Sequence, residues 1–301
     1  MSVGIPTSGT ELAGVEARAQ RIQSSTGRTL RRAARLTRTR VGLGILGLVV
    51  GTAVFGPLLA PHSPTAFVAA PFMRSAPGTI FGTDELGRDV LSRFLYGGRS
   101  VLVLSLLATV LGVGAGTAVG LIAAHTRGIV DDVLMRGSDV VLAFPQIMVV
   151  LLLVSAAGTH EWLLVLAVAL GHAPQTARVI RGAALEVTER DFVKVAEMVG
   201  QRRWRILAFE ILPNVSSVLM VEFGLRLTYS VGLVAGASFL GFGLQPPAAD
   251  WGLMIDENRV GLGVAPLGVI LPILGIALLT VGTNLVTDGI ARAAIRVELG
   301  E

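Results

Sequence analysis

No cysteine occurs among the 301 residues, which excludes disulfides, thiolate metal sites and a cysteine nucleophile. Lysine is almost as scarce: Lys194 is the only one among 25 basic residues. A phosphate-binding P-loop needs Gly-Lys-[Ser/Thr], because lysine neutralises the β/γ-phosphates and the hydroxyl holds magnesium. Lys194 sits instead in Phe192-Val-Lys-Val-Ala196, so this chain does not hydrolyse ATP by that machinery. No Gly-x-Ser-x-Gly elbow is present, so a serine hydrolase has no support. The four histidines, His62, His125, His160 and His172, lack H-x-x-x-H spacing and predict no metal site. Charge is short as well, at 15% against about 25% in a soluble chain. What is abundant is apolar: 52% hydrophobic residues and 37 glycines, with a mean hydropathy of +0.70. That balance excludes a soluble enzyme, a disordered tail and a fibrous protein. It predicts an all-α membrane protein.

Crossing roughly 30 Å of hydrocarbon takes about 20 helical residues. Runs meeting that length lie at 41–60, 101–124, 140–158, 162–180, 215–240 and within 260–287, so six transmembrane helices are expected. Gly42-Leu-Gly-Ile-Leu-Gly47 matches a dinucleotide fingerprint but lies inside the first run with no strand before it, so the match is spurious. Six crossings put both termini on one side. With the amino terminus inside, 19 Lys and Arg fall on that side, eight of them from Arg18 to Arg40 and seven from Arg178 to Arg205, against five outside. The positive-inside rule therefore predicts cytoplasmic termini. The first run, being of full span length, is expected to be a retained helix rather than a cleaved leader. The arginine-rich tail 1–40 reads as a topological or anionic-lipid-binding segment.

Ala108, Gly112, Gly116, Gly120 and Ala124 recur every four residues along the second run. Such a stripe lets another helix approach closely, as internal packing or as a subunit interface. Pro145, Pro174 and Pro272 predict kinks. Two connections are long. In 61–100, Leu86, Val90, Leu91, Phe94 and Leu95 share one helical face, predicting a short amphipathic helix lying on the membrane or on a neighbouring element. The connection 181–214 is also helically patterned, and loops of this size are usually functional. Glu222 and Arg226 sit four apart inside the fifth run, so they can pair on one face. A charge pair within the bilayer should face protein or water rather than lipid, which makes it either a structural pair or part of a translocation path.

Lys194-Val-Ala-Glu-Met-Val-Gly200, followed by Glu210-Ile-Leu-Pro213-Asn214, resembles the EAA loop of bacterial ATP-binding-cassette (ABC) importer permeases. Lys194 stands where that pattern has Glu, Val195 where it has Ala, and Glu210 where His is usual. Phe81-Gly-Thr-Asp-Glu-Leu-Gly-Arg-Asp-Val-Leu-Ser-Arg93 and Ser238-Phe-Leu-Gly-Phe-Gly-Leu-Gln-Pro-Pro-Ala-Ala-Asp-Trp-Gly252 are similar to segments of the C-type permeases of dipeptide, oligopeptide and nickel importers. Asp139-Val-Val-Leu-Ala-Phe-Pro145 and Asn284-Leu-Val-Thr-Asp-Gly289 fit the same subunits, and the resemblance covers about residues 41–292.

The resemblance implies a type I importer (MetI-like) fold with a core over 101–288, a cytoplasmic end 289–301, and a bacterial inner-membrane location. It implies a non-catalytic subunit, with ATP and magnesium held elsewhere and no cofactor or metal of its own. Expected partners are a homologous B-type permease, two ATPase subunits, an extracytoplasmic substrate-binding protein and the lipid bilayer, with no nucleic acid. Lys194, Val195, Ala196, Glu197, Gly200, Glu210 and Pro213 would meet the ATPase. Gly82, Asp84, Gly87, Arg88, Asp89, Gln245, Pro246 and Trp251 would face the binding protein, and Glu222 with Arg226 would line the path. Di- and oligopeptides are the implied cargo, nickel or another small solute the alternative. A self-sufficient secondary transporter would need more intramembrane acids than Glu222 alone.

Overall fold

The computed structural model describes residues 27, 29 and 31–298, with side chains described as far as residue 294. Most of the expected amino-terminal tail and the last three residues lie outside them. Among the described residues the long elements are all helices: α1 (Thr37–Leu59), α2 (Val90–Thr126), α3 (Gly128–Leu142), α4 (Gln146–Ala157), α5 (Glu161–Thr188), α6 (Asp191–Met198), α8 (Ser216–Phe239), α9 (Trp251–Asn258) and α10 (Leu267–Glu298). A helical run we call α7 joins α6 to α8. It consists of Arg203–Arg205, a π-helical turn at Ile206–Ile211, and Leu212–Asn214. Helices are what apolar sequence must form in a bilayer, where every backbone group needs an internal partner.

Among the described residues five helices are long and apolar enough to cross a membrane, and the pair α3–α4 supplies a sixth if counted as one span. That pair is bent by 83°. Pro145, the residue before α4, has no N–H to continue the helix, and its own ψ of 127° is extended rather than helical. The expected third span is therefore a broken one. Two other expectations are corrected. The amphipathic patterning of 86–95 does not make a separate helix: Asp89 accepts from the Ser92 N–H at 2.9 Å as an N-cap, and α2 then runs unbroken from Val90 to Thr126. The last helix starts at Leu267 and continues to Glu298, absorbing most of the expected tail 289–301.

The glycine stripe of α2 is internal packing. A Cβ on Gly116 would lie 2.4 Å from the Ala173 carbonyl oxygen, and one on Gly120 would lie 2.6 Å from that of Ala177, both on α5. Backbone cannot give way as a side-chain tip can. Gly114, two residues along, faces open space. Gly116→Val is therefore expected to prevent accumulation of the chain, and Gly114→Val to leave it near the parental level, as immunoblotting of membranes would show. Equal accumulation would mean that α2 and α5 are not held at this separation. Elsewhere α10 packs on α1 across Gly42, whose Cβ would meet Leu285 at 2.8 Å.

Candidate coupling surface and translocation path

One end of the bundle carries residues 189–214. Val193 and Ala196 of α6 are buried against Leu121 and Ala124 of α2 and against Ile180, Ala184 and Val187 of α5, together with Ile206, Ile211 and Val215. This corrects the expectation for Ala196, which faces the bundle rather than outward, whereas Val195 and Val199 point outward at 51% and 74% exposure, with Met198 at 78%. Trp204 and Phe209 are also exposed and meet edge to face at 6.2 Å. The segment thus has an anchored apolar side and an unanchored one. Gly200 joins the two helices at φ +77°, in the left-handed region that suits glycine. Lys194 and Glu197 are exposed, and Glu210 and Pro213 are half-buried.

Ion pairs decorate this end. Glu197 reaches His125 of α2 at 3.6 Å, and Lys194 reaches Glu189 at 3.5 Å. A hydrogen bond from Arg127, reinforced by Lys194, holds the Glu189 carboxyl below the usual range. Exposed pairs like these are screened by water and contribute little, whereas burying a valine contributes about 1.5–3 kcal/mol. Val193 and its neighbours therefore hold α6 in place. Arg181 grips Asp131 through two contacts of 2.5 and 2.6 Å, tying α3 to α5.

The opposite end is built on buried charge. Asp84 Oδ2 meets Arg88 Nε at 2.6 Å and Arg93 Nε at 3.4 Å. Glu257 Oε2 meets Arg88 at 3.0 Å and Arg93 at 2.6 Å. Two carboxylates and two guanidiniums thus cancel one another out of water. Burial pushes the Glu257 carboxyl up, against the downward pull of Arg93 and Arg88. The Glu85 N–H donates to Asn258 Oδ1 at 3.1 Å, closing residues 81–93 onto α9. Gly82 and Gly87 have φ +79° and +75°, and a Cβ at either would come within 2.0 Å of a backbone carbonyl.

Trp251 is seated in the same scaffold. Its Nε1 donates to the Phe94 carbonyl at 2.9 Å, and its ring stacks on Phe94 at 5.3 Å. Gly97, Gly98 and Gly275 leave the space it fills. Asp84, Arg88, Asp89 and Trp251 are buried, as are Gly82 and Gly87, so these residues form the support rather than the surface that was expected of them. Gln245 and Pro246 are exposed. Arg93, Glu257 and Asn258, which complete the scaffold, were not singled out from the sequence. An arginine and a glutamate 164 residues apart leave no local pattern.

Asp250 caps α9, accepting from the Gly252 and Leu253 N–H groups at 2.9 and 3.1 Å and from Ser100 Oγ at 2.7 Å. Burial pushes its carboxyl above the ordinary 3.8 against those hydrogen bonds. A raised folded-state value means that the folded chain holds the proton more tightly. The carboxyl's contribution to stability is thus largest below about 3.8, falls as pH rises toward the folded-state value, and is flat above it. Asp250→Asn is expected to remove that slope while keeping the cap. Asp250→Ala is expected to cost about 1–2 kcal/mol. Thermal unfolding of the detergent-purified chain across pH checks both, and an unchanged slope in Asp250→Asn would assign it to another group.

Between the ends, polar side chains link four helices inside the bundle. His172 of α5 contacts Gln146 of α4 at 3.2 Å through Nδ1 and Ser230 of α8 at 2.9 Å through Nε2. Ser230 in turn meets Thr109 of α2 at 2.8 Å. One turn away, Glu222 and Arg226 form the expected pair at 2.8 Å. Thr176 donates to Glu222 at 3.2 Å, and Arg226 donates to Gln175. The guanidinium also lies 5.4 Å from the centre of the exposed Tyr229 ring. Among the described residues no three His, Asp or Glu side chains converge on a possible metal position.

Apolar helices that cross the bilayer around a partnered polar interior, with an outward apolar surface on a segment outside the spans, define a multi-pass membrane transport subunit. The chain belongs to the family described as binding-protein-dependent transport system inner membrane component, whose profile matches residues 116–296. It is 34% identical over 254 residues to the glutathione transport system permease protein GsiD of Pectobacterium atrosepticum, covering 84% of each chain. It is 34% identical to GsiD of Shigella dysenteriae, over 82% of each. A Brucella suis protein provisionally named a peptide transport system permease is 34% identical over 87% of this chain and 88% of its own. The chain is thus a permease subunit of an ABC importer, located in the inner membrane, and ATP hydrolysis belongs to a separate subunit.

Proposed function

We propose that this permease forms half of the path for small peptides, glutathione included, and that residues 189–214 seat an ATPase subunit. The observation behind the second statement is the two-sided coupling segment. Its inner face is buried in the bundle, while Val195, Met198, Val199, Trp204 and Phe209 stand exposed. Apolar patches of this kind mark protein contacts. In this reading both termini are cytoplasmic, as the arginine distribution favours. A homologous permease completes the path, two ATPases dock on the pair, and Gln245 and Pro246 lie toward a substrate-binding protein. Closure of the ATPases would push on α6 and swing the helices between two access states as rigid bodies. Arg226, steadied by Glu222 and Gln175, would present positive charge to a peptide carboxylate, with Tyr229 beside it.

The test is purification of the tagged chain with its associated proteins, reconstitution with the binding protein, and measurement of ATP hydrolysis and uptake with glutathione, dipeptides, longer peptides or nickel ions. Peptide-stimulated hydrolysis is expected, with nickel inert. A chain that purifies alone and moves solute without ATP would overturn the reading. Combining Glu222→Gln with Arg226→Leu is expected to lower peptide uptake at least tenfold, and unchanged uptake and specificity would remove the pair from the path.

A further inference from the structure

A cavity of about 350 Å³ opens between α1, α2, α8 and α10, lined by apolar side chains that include Val50, Val54, Leu102, Leu106, Val231 and Leu279. It is more than twice the volume of the roughly 150 Å³ apolar cavities that stay dry and take up benzene. Its two hydroxyls have no proton left for water: Ser105 donates to the Val101 carbonyl at 2.5 Å and Thr283 to the Leu279 carbonyl at 2.8 Å, each within its own helix. Away from Arg99 water would therefore find few partners there, whereas hydrocarbon would find apolar contact along the whole lining. Along α1 the lining runs from Leu46 to Val54, about 12 Å at 1.5 Å per residue, against about 15 Å for one leaflet of hydrocarbon.

One charged side chain borders the cavity, Arg99. It precedes the uncharged run 101–124 and lies beside the glycines that seat Trp251, which puts it at the end of the span where headgroups lie. Arg88 and Arg93 on the same stretch are neutralised by Asp84 and Glu257. Among the described residues Arg99 has no carboxylate within ion-pair reach and no hydrogen-bond partner, and it is exposed. A guanidinium suits a phosphate because its planar fork can hold two oxygens at once. We infer that this groove holds one phospholipid, with an acyl chain between α1 and α2 and its phosphate on Arg99. The inference needs only the membrane spans, not the peptide substrate or the ATPase seat.

The experiment is native mass spectrometry of the purified full chain with whatever subunits accompany it, after washing away loose lipid. One phospholipid per copy of this chain is expected to remain. Ala53→Trp fills the groove from its buried wall, and Val103→Trp fills it from the exposed rim. Both are expected to remove that lipid, and Val103→Trp, the milder change, is expected to keep the parental melting temperature. Arg99→Gln is expected to weaken retention about tenfold. Lipid retained at parental levels in both tryptophan variants would overturn the assignment, as would a parental chain with none. Loss of a protein subunit from Val103→Trp with bound lipid unchanged would overturn it too, by making the groove a protein seat.

Discussion

Gly200→Pro is expected to release the ATPase from the purified complex and to abolish ATP-driven uptake, with the permease still inserted. Gly200 holds φ at +77°, whereas proline locks φ near −65°. Proline also removes the Gly200 N–H, which donates to the Glu197 carbonyl at 2.9 Å, and disturbs the neighbouring bond from Gln201 to Ala196 at 3.1 Å. The turn between α6 and α7 would open, and the exposed side chains of the two helices would lose their fixed relative placement. Gly200→Ala separates the causes. No heavy atom lies within 4 Å of a Cβ placed there, so alanine adds only backbone strain, about 1–2 kcal/mol, and should leave partial assembly. Subunit ratios after affinity purification give the answer. Full ATPase retention in the proline variant would show that the turn does not couple the two proteins.

Arg93→Leu is expected to cost about 3–5 kcal/mol and to reduce the chain in membranes severely. Arg93 is fully buried, and its loss leaves Asp84 and Glu257 with Arg88 alone between them. An uncompensated buried carboxylate is what makes such a change expensive, more than the lost attraction itself. Pairing Arg93→Leu with Glu257→Leu restores neutrality around Asp84 and Arg88, so the double variant should recover most of the lost stability. Melting temperatures of the four members of that cycle, taken in one detergent, measure the coupling. Additive losses would mean that the two side chains act independently, and the neutralised cluster would then not be what holds 81–93 to α9.

The sequence exposes some of these features and conceals others, for physical reasons. Long apolar runs mark five of the crossings because hydrocarbon admits little else. The stripe from Ala108 to Ala124 announces close packing, and α5 supplies the partner. The start of α2 is hidden because Arg88, Arg93 and Arg99 interrupt the apolar pattern. Asp84 offsets one of those charges locally, and Glu257, far along the chain, explains why a second can be buried. The break between α3 and α4 needed Pro145 to be weighed as a helix stop rather than a kink. On α6, a helical wheel places several aliphatic residues together without telling which side meets the bundle, and the structure chooses Val193 and Ala196. Trp251 read as surface because the resemblance turned its whole motif toward the binding protein. The three glycines that receive it lie on two different helices.

The unbroken run of α2 has a mechanical consequence. Its 37 residues make a rod of about 55 Å, and the rod is tied to another helix at each end. At one end His125 meets Glu197 of α6. At the other, Arg93 and the Phe94 carbonyl hold Glu257 and Trp251 of α9. A stiff lever transmits angle rather than strain. A tilt of about 5° about its midpoint carries each tip about 2.4 Å in opposite directions over a 55 Å length. That is enough to exchange one set of side-chain contacts for another at both membrane surfaces at once. A push on α6 would therefore reach the far side of the bilayer without any helix unwinding, and the two ends would keep time with each other.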